Sequence, residues 1–144
     1  MVYLSQCNIG PEGIDDLEKC LMAGNEKRAI ELNIDSNPLG PKVSNALSRM
    51  IAETNFHHSI LKSLSLKNCA IGDEGLASLA SCFLSNPSCL EKLNLSNNNI
   101  GESGIKSLSN SIQGGRMNIQ QLTEIDFSDN HIGEQGIITF AESM

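Results

Sequence analysis

Three histidines, five cysteines and a few arginines are the side chains of this 144-residue sequence best suited to chemistry. His57 and His58 adjoin, but a zinc site needs further ligands at suitable spacing, and no Cys or His lies close by in sequence. His131 stands far along the chain, so all three read as solvated loop histidines. Cys7, Cys20, Cys69, Cys82 and Cys89 form an odd set without the tight spacing of a disulfide scaffold. A Cys82–Cys89 bridge is the pairing to weigh, and reduced thiols are the preferred reading. Arg28, Arg49 and Arg116 are of the type that stabilises phosphoryl transfer in a partner's site, but each falls in a helix or connecting stretch. Ser, His and Asp are present without a strained G-x-S-x-G nucleophile turn. Gly72-x-x-Gly75 and its relatives have the outline of a phosphate cradle, yet hold acids where such loops hold lysine or serine. The sequence therefore offers no catalytic residue, no cofactor and no metal ligand.

The elements around these residues follow from a phrase that recurs five times. Its copies are Val2-x-Leu4-x-x-Cys7-x-Ile9-Gly10, Leu32-x-Ile34-x-x-Asn37-x-Leu39-Gly40, Leu64-x-Leu66-x-x-Cys69-x-Ile71-Gly72, Leu93-x-Leu95-x-x-Asn98-x-Ile100-Gly101 and Ile125-x-Phe127-x-x-Asn130-x-Ile132-Gly133. Aligned on Leu4, Ile34, Leu66, Leu95 and Phe127, the copies are 30, 32, 29 and 32 residues apart. Self-similarity at that period marks a solenoid, in which each unit buries its apolar side against its neighbours. The units run about 1–29, 30–61, 62–90, 91–122 and 123–144, within a single domain 1–144.

Within a unit the hydrophobic period switches. Leu64-Ser65-Leu66 and Leu93-Asn94-Leu95 alternate as short strands do. After Gly72, the spacing of Leu76, Leu79, Ala80, Phe83 and Leu84 is that of an amphipathic helix. Ile14, Leu17 and Leu21 repeat it, as do Val43, Ala46, Leu47, Met50 and Ile51, then Ile105, Leu108 and Ile112, then Ile137, Phe140 and Ala141. Between strand and helix, paired glycines mark a sharp turn or a close approach, and the acids between them suit a helix amino terminus. Pro11 suits the first helical position. The second copy, Gly40-Pro41-Lys42-Val43, lacks both the acid and the second glycine, so its turn should differ. Strands about 4.8 Å apart beside helices about 10 Å apart force a curve with the sheet inside. The Cys/Asn column (Cys7, Asn37, Cys69, Asn98, Asn130) falls after each strand, where an amide can satisfy the backbone of its own loop and of the neighbouring one.

The segments LKSLSLKNCAIGDEGLASLA and LEKLNLSNNNIGESGIKSLS resemble leucine-rich repeats of the ribonuclease-inhibitor type. That resemblance implies units of about 28–29 residues with a full helix on the convex side, alternating Asn and Cys in the column. Here the column reads Cys, Asn, Cys, Asn, Asn. The fold expected is α/β: a right-handed horseshoe of about five strand-turn-helix repeats, with a concave parallel sheet and convex helices. The resemblance implies a partner that is another protein, and it names none. The Ran GTPase-activating proteins are built on similar repeats, which makes activation of a GTPase the alternative function and a purely structural spacer the third.

Residues between the buried strand positions should line the concave face: Tyr3 and Ser5; Glu31, Asn33 and Asp35; Ser63, Ser65 and Lys67; Lys92, Asn94 and Ser96; Glu124, Asp126 and Ser128. They form the candidate partner-binding surface, with acidic ends and two central lysines. A formal net charge of −7 argues against nucleic acid or an anionic membrane as partner. No apolar run reaches the length of a membrane span, and no signal peptide precedes the first repeat. With the free thiols this reads as a cytoplasmic protein, or one in a host cytosol if it is a secreted effector. Asn94-Leu95-Ser96 is a nominal glycosylation sequon inside a strand, where a glycan does not fit. Neither end shows a polar cap, so the expectation is a piece of a longer array or multidomain protein, with self-association through the uncapped ends as the other cover.

Overall fold

The computed structural model describes residues 1–23, 28–43, 47, 59–83, 90–114 and 122–144. Its elements are β1 (Val2–Tyr3), α1 (Pro11–Met22), β2 (Arg28–Asn33), a 3-10 turn (Pro41–Val43), β3 (Ser59–Ser65), α2 (Gly72–Phe83), β4 (Lys92–Asn94), α3 (Glu102–Gln113), β5 (Glu124–Asp126) and α4 (Gly133–Ser143). Of the expected second helix only Leu47 is described beyond the 3-10 turn, and it is fully buried. His57, His58, Arg49, Arg116 and Cys89 lie outside the described residues, and with them any Cys82–Cys89 bridge.

The strands make one parallel sheet in chain order, β1-β2-β3-β4-β5. Parallel neighbours joined by helical returns on one side give an open right-handed solenoid, the architecture expected from the repeat. The register is Val2↔Leu32, Leu32↔Leu64, Leu64↔Leu93 and Leu93↔Ile125, so equivalent apolar residues stack in columns. One irregularity falls between Ile30 and Glu31, where Lys62 is skipped by the pairing and forms an ion pair with Glu91. The core lies between sheet and helices: Leu64, Leu66, Ile71, Leu76, Leu79, Leu93, Leu95, Ile100, Ile105 and Leu108 are at most 2% exposed. Burial of each such side chain is worth roughly 1.5–3 kcal/mol, which makes this layer the main source of cohesion between units.

The turns depend on left-handed backbone. Gln6, Ser36, Asn68, Asn97 and Asp129, each just before the column, all have φ between 54 and 57°. This conformation turns the chain off the sheet while the backbone ladder continues, with Gln6, Ser36, Asn68 and Asn97 donating their N–H to the next unit. Asn8, Ala70 and Asn99, just after the column, are left-handed as well. There each column residue's own N–H and the N–H two residues later converge on one oxygen of the following unit's asparagine: Cys7 and Ile9 on Asn37 Oδ1, Cys69 and Ile71 on Asn98 Oδ1, Asn98 and Ile100 on Asn130 Oδ1.

The second unit departs, and earlier than Lys42 and Val43. Pro38 occupies the position that is left-handed in the first, third and fourth units, and its ring holds φ near −65°. The following unit offers Cys69, whose sulfur replaces the strong amide acceptor. The Leu39 N–H instead donates to its own Asn37 carbonyl at 2.8 Å, and the chain enters a 3-10 turn where the other units begin an α-helix. Cys69 itself fills the space, fully buried, its thiol donating to the carbonyls of Ile34 and Lys67 at 3.4 Å. Burial pushes this thiol's pKa up, against the backbone amides of Asn37 and Ser36. Cys69 is a buried free thiol, whereas Cys7 and Cys20 are exposed free thiols on the first unit.

Ala70 gives a direct test of the turn. It is exposed, with φ 55°, and lacks the short polar side chain that its counterparts Asn8 and Asn99 carry. A left-handed L-residue costs about 1–2 kcal/mol, less for asparagine. Ala70→Asn should therefore raise the unfolding free energy by about 0.5–1 kcal/mol. A urea midpoint that fails to rise would show that the strain is relieved elsewhere.

Candidate protein-binding face

The concave surface is built from three rows crossing the strands. The pairing aligns Glu31, Ser63, Lys92 and Glu124 in one row and Tyr3, Asn33, Ser65, Asn94 and Asp126 in the next. The third, Ser5, Asp35, Lys67, Ser96 and Ser128, follows two residues on, where the interstrand ladder continues beyond the strands. All fourteen expected residues are thus on one face.

They divide by what their side chains are doing. Asn33, Asn94 and Asp126 each accept the N–H two residues later, at 3.1, 2.9 and 2.8 Å, closing an Asx turn where the strand ends. The hydroxyls of Ser96 and Ser128 donate to the Oδ1 atoms of Asn94 and Asp126 at 2.7 and 2.5 Å. Between units, Ser5 donates to Asn33 at 2.5 Å, while Asp35 accepts the Ser65 hydroxyl at 2.6 Å and the Lys67 N–H at 2.8 Å. These groups hold the sheet's edge together. Ser96 departs from the expected contact role altogether, because it is only 2% exposed. The Asx pattern was legible in advance as Asn33-x-Asp35, Asn94-x-Ser96 and Asp126-x-Ser128.

What remains free is narrower. Tyr3 is 67% exposed, and Glu31 and Lys67 are exposed as well. Among the described residues these three side chains enter no hydrogen bond or salt bridge. Lys92 and Glu124 pair across the sheet at 3.0 Å, both well exposed. The Glu124 carboxylate raises the Lys92 pKa, with Glu31 and Glu91 adding to it. Ser128 holds the Asp126 carboxyl below its usual range through hydroxyl and amide, and the charge of Lys67 contributes. Between β3, β4 and β5 lies an open polar depression of about 210 Å³, lined among others by Ser63, Ser65, Lys92, Asn94, Glu124 and Asp126. Such a face presents charged and hydrogen-bonding groups together with one exposed aromatic ring, that of Tyr3.

The described residues hold no group of three or more His, Cys, Asp or Glu placed to share a metal ion. None of their helices is long and apolar enough to cross a membrane. Asn94 of the nominal sequon lies in β4, its amide oxygen occupied by Ser96. Arg28 begins β2, within the sheet.

A curved stack of strand-turn-helix units with a polar concave sheet defines a solenoid repeat protein. The profile of the Leucine Rich repeat family matches residues 57–80, 86–109 and 119–141, the third, fourth and fifth units. No curated protein matches the chain. With the first two units continuing the same sheet and register, the chain is a leucine-rich-repeat protein.

Proposed function

We propose that this chain is a non-catalytic recognition scaffold of the ribonuclease-inhibitor-like subtype, which holds a partner protein on its concave face. The observation that carries the reading is the division of that face. One set of polar side chains is consumed by Asx turns and interstrand bonds, leaving Tyr3, Glu31, Lys67 and the Lys92–Glu124 pair for contact. The subtype is supported by three described helices of 12 residues and by the Cys69 unit set between asparagine units. The free thiols of Cys7, Cys20 and Cys69 support a reducing, cytoplasmic setting.

The test is affinity purification with the parent chain and with Tyr3→Ala, Glu31→Lys and Lys67→Glu, followed by titration of any partner captured. Tyr3→Ala should weaken binding roughly tenfold or more, as loss of an aromatic anchor does, and the charge reversals should chiefly slow association. Ser96→Ala should leave affinity unchanged. Retention of every partner by all three variants would sink the concave-face reading and favour a structural spacer.

A further inference from the structure

The depression between β3, β4 and β5 owes its depth to β3, whose polar contribution there is two serines, Ser63 and Ser65. Lys92 and Asn94 on β4, and Glu124 and Asp126 on β5, rise around them. Its volume of about 210 Å³ leaves room for a whole side chain, since a single water needs only ~15 Å³.

The polar groups of this depression are unevenly satisfied. Glu124 has an ion pair with Lys92 at 3.0 Å. Asp126 has none among the described residues. Its Oδ1 takes the Ser128 hydroxyl and N–H, and its Oδ2 meets no described donor. The Ser63 hydroxyl and the Asn94 Nδ2 likewise make no hydrogen bond among the described residues. Asp126 is half-buried, yet Ser128 holds its carboxyl below the usual range, so it carries its full charge at neutral pH.

Charge decides what completes the set. On the concave face four acids (Glu31, Asp35, Glu124 and Asp126) stand against two lysines (Lys67 and Lys92), and the whole chain carries −7. An anion in the depression would meet two carboxylates against one lysine. An apolar group would strip water from Asp126 and return no partner. A cation is favoured, and its shape matters. Glu124 and Asp126 point the same way from β5, two residues and so about 6.6 Å apart along the strand. A planar guanidinium spreads five N–H donors and can bridge two carboxylates, whereas an ammonium is one compact charge, of a kind Lys92 already supplies.

With the concave face taken as the contact surface, we propose that this depression receives an arginine side chain of the partner protein. Its guanidinium lies between the carboxylates of Asp126 and Glu124, and the Asn94 Nδ2 donates to a backbone carbonyl of the same segment. Tyr3 stands on β1, outside the depression, so the arginine site and the aromatic contact can be tested apart.

The experiment is an NMR titration of the isotope-labelled 144-residue chain with capped peptides Gly-Ser-X-Ser-Gly, where X is arginine, lysine, citrulline or glutamate. The amide signals of Ser63, Ser65, Asn94 and Asp126 should move saturably with the arginine peptide. Lysine should bind at least about threefold more weakly, and citrulline and glutamate should leave the signals in place. Asp126→Asn should weaken the arginine peptide about fivefold. The fold should survive that change, since Asn33 and Asn94 close the same Asx turn. Ser63→Leu should fill the depression and abolish the shifts. Equal binding of the lysine peptide, binding of citrulline, parent-like affinity in either variant, or shifts confined to other residues would overturn the proposal. Silence of every signal would overturn it too, and would leave the concave-face reading to the Tyr3→Ala and charge-reversal captures.

Discussion

Asn98→Ala should lower the unfolding free energy by about 4 kcal/mol, the largest effect of any single substitution considered. Asn98 is fully buried, and its amide makes four hydrogen bonds, three of them to the preceding unit. Oδ1 accepts from the N–H of Cys69 at 3.0 Å and of Ile71 at 3.2 Å. Nδ2 donates to the carbonyls of Leu66 at 2.7 Å and Ser96 at 3.0 Å. Alanine leaves the Cys69 and Ile71 N–H groups and the Leu66 carbonyl buried without partners, at about 1–3 kcal/mol each before relaxation, while the Ser96 carbonyl keeps the Asn68 N–H. Small domains have only about 5–15 kcal/mol to lose, so the change removes a large share of stability. Because three of the lost bonds join the third unit to the fourth, urea unfolding should also broaden as the two halves uncouple. Two controls separate this mechanism from simple loss of volume. Asn130→Ala should cost about 2 kcal/mol or less, since the half-exposed Asn130 lets water replace the amide. Asn98→Cys should fall between, as a thiol fills space but cannot gather two N–H groups. Equal midpoints for Asn98→Ala and Asn130→Ala, measured by circular dichroism in urea, would refute the account.

The repeat spacing was enough to reveal strands, helices, curvature and the inward face, because each unit must present the same apolar stripe to its neighbours. The asparagine's role was legible for the same reason: a buried turn leaves backbone groups that only such an amide can satisfy. What stayed hidden depends on contacts between units. Lys42 and Val43 looked like the seat of the second unit's irregularity, yet the departure starts at Pro38, where the proline and the facing Cys69 act together. The concave list treated inward residues as equivalent. Their division into bonded and free groups emerges only when Ser5 meets Asn33, and Ser65 meets Asp35, across strands. Cys7 and Cys69 are identical in the repeat but not in burial, since one has a unit beneath it and the other an open edge among the described residues.

The second glycine of each turn shows how strictly one atom can be governed by the neighbouring unit. A Cβ on Gly104 would lie 2.6 Å from Asp73 Oδ1 and 3.0 Å from Asp73 Cα. The carboxylate cannot simply swing aside, because Oδ1 also accepts the Gly101 N–H at 2.6 Å, tying α2 to the turn that starts α3. Gly104→Ala must therefore either break that bond or push two packed helices apart. Overpacking of this kind costs about 1–3 kcal/mol, and the loss of a charge-assisted bond adds to it, so a total near 3 kcal/mol is expected. This outweighs the gain of up to about 1 kcal/mol that alanine brings to a helix. The companion change Asp73→Ala removes the obstacle along with the bond. In the double variant, alanine at 104 should then cost clearly less than in the parent, leaving a coupling of about 1 kcal/mol or more between the two sites. Additive losses in thermal or urea melts would mean that the strain lies at the Asp73 Cα and not at its carboxylate, with the backbone approach alone demanding glycine.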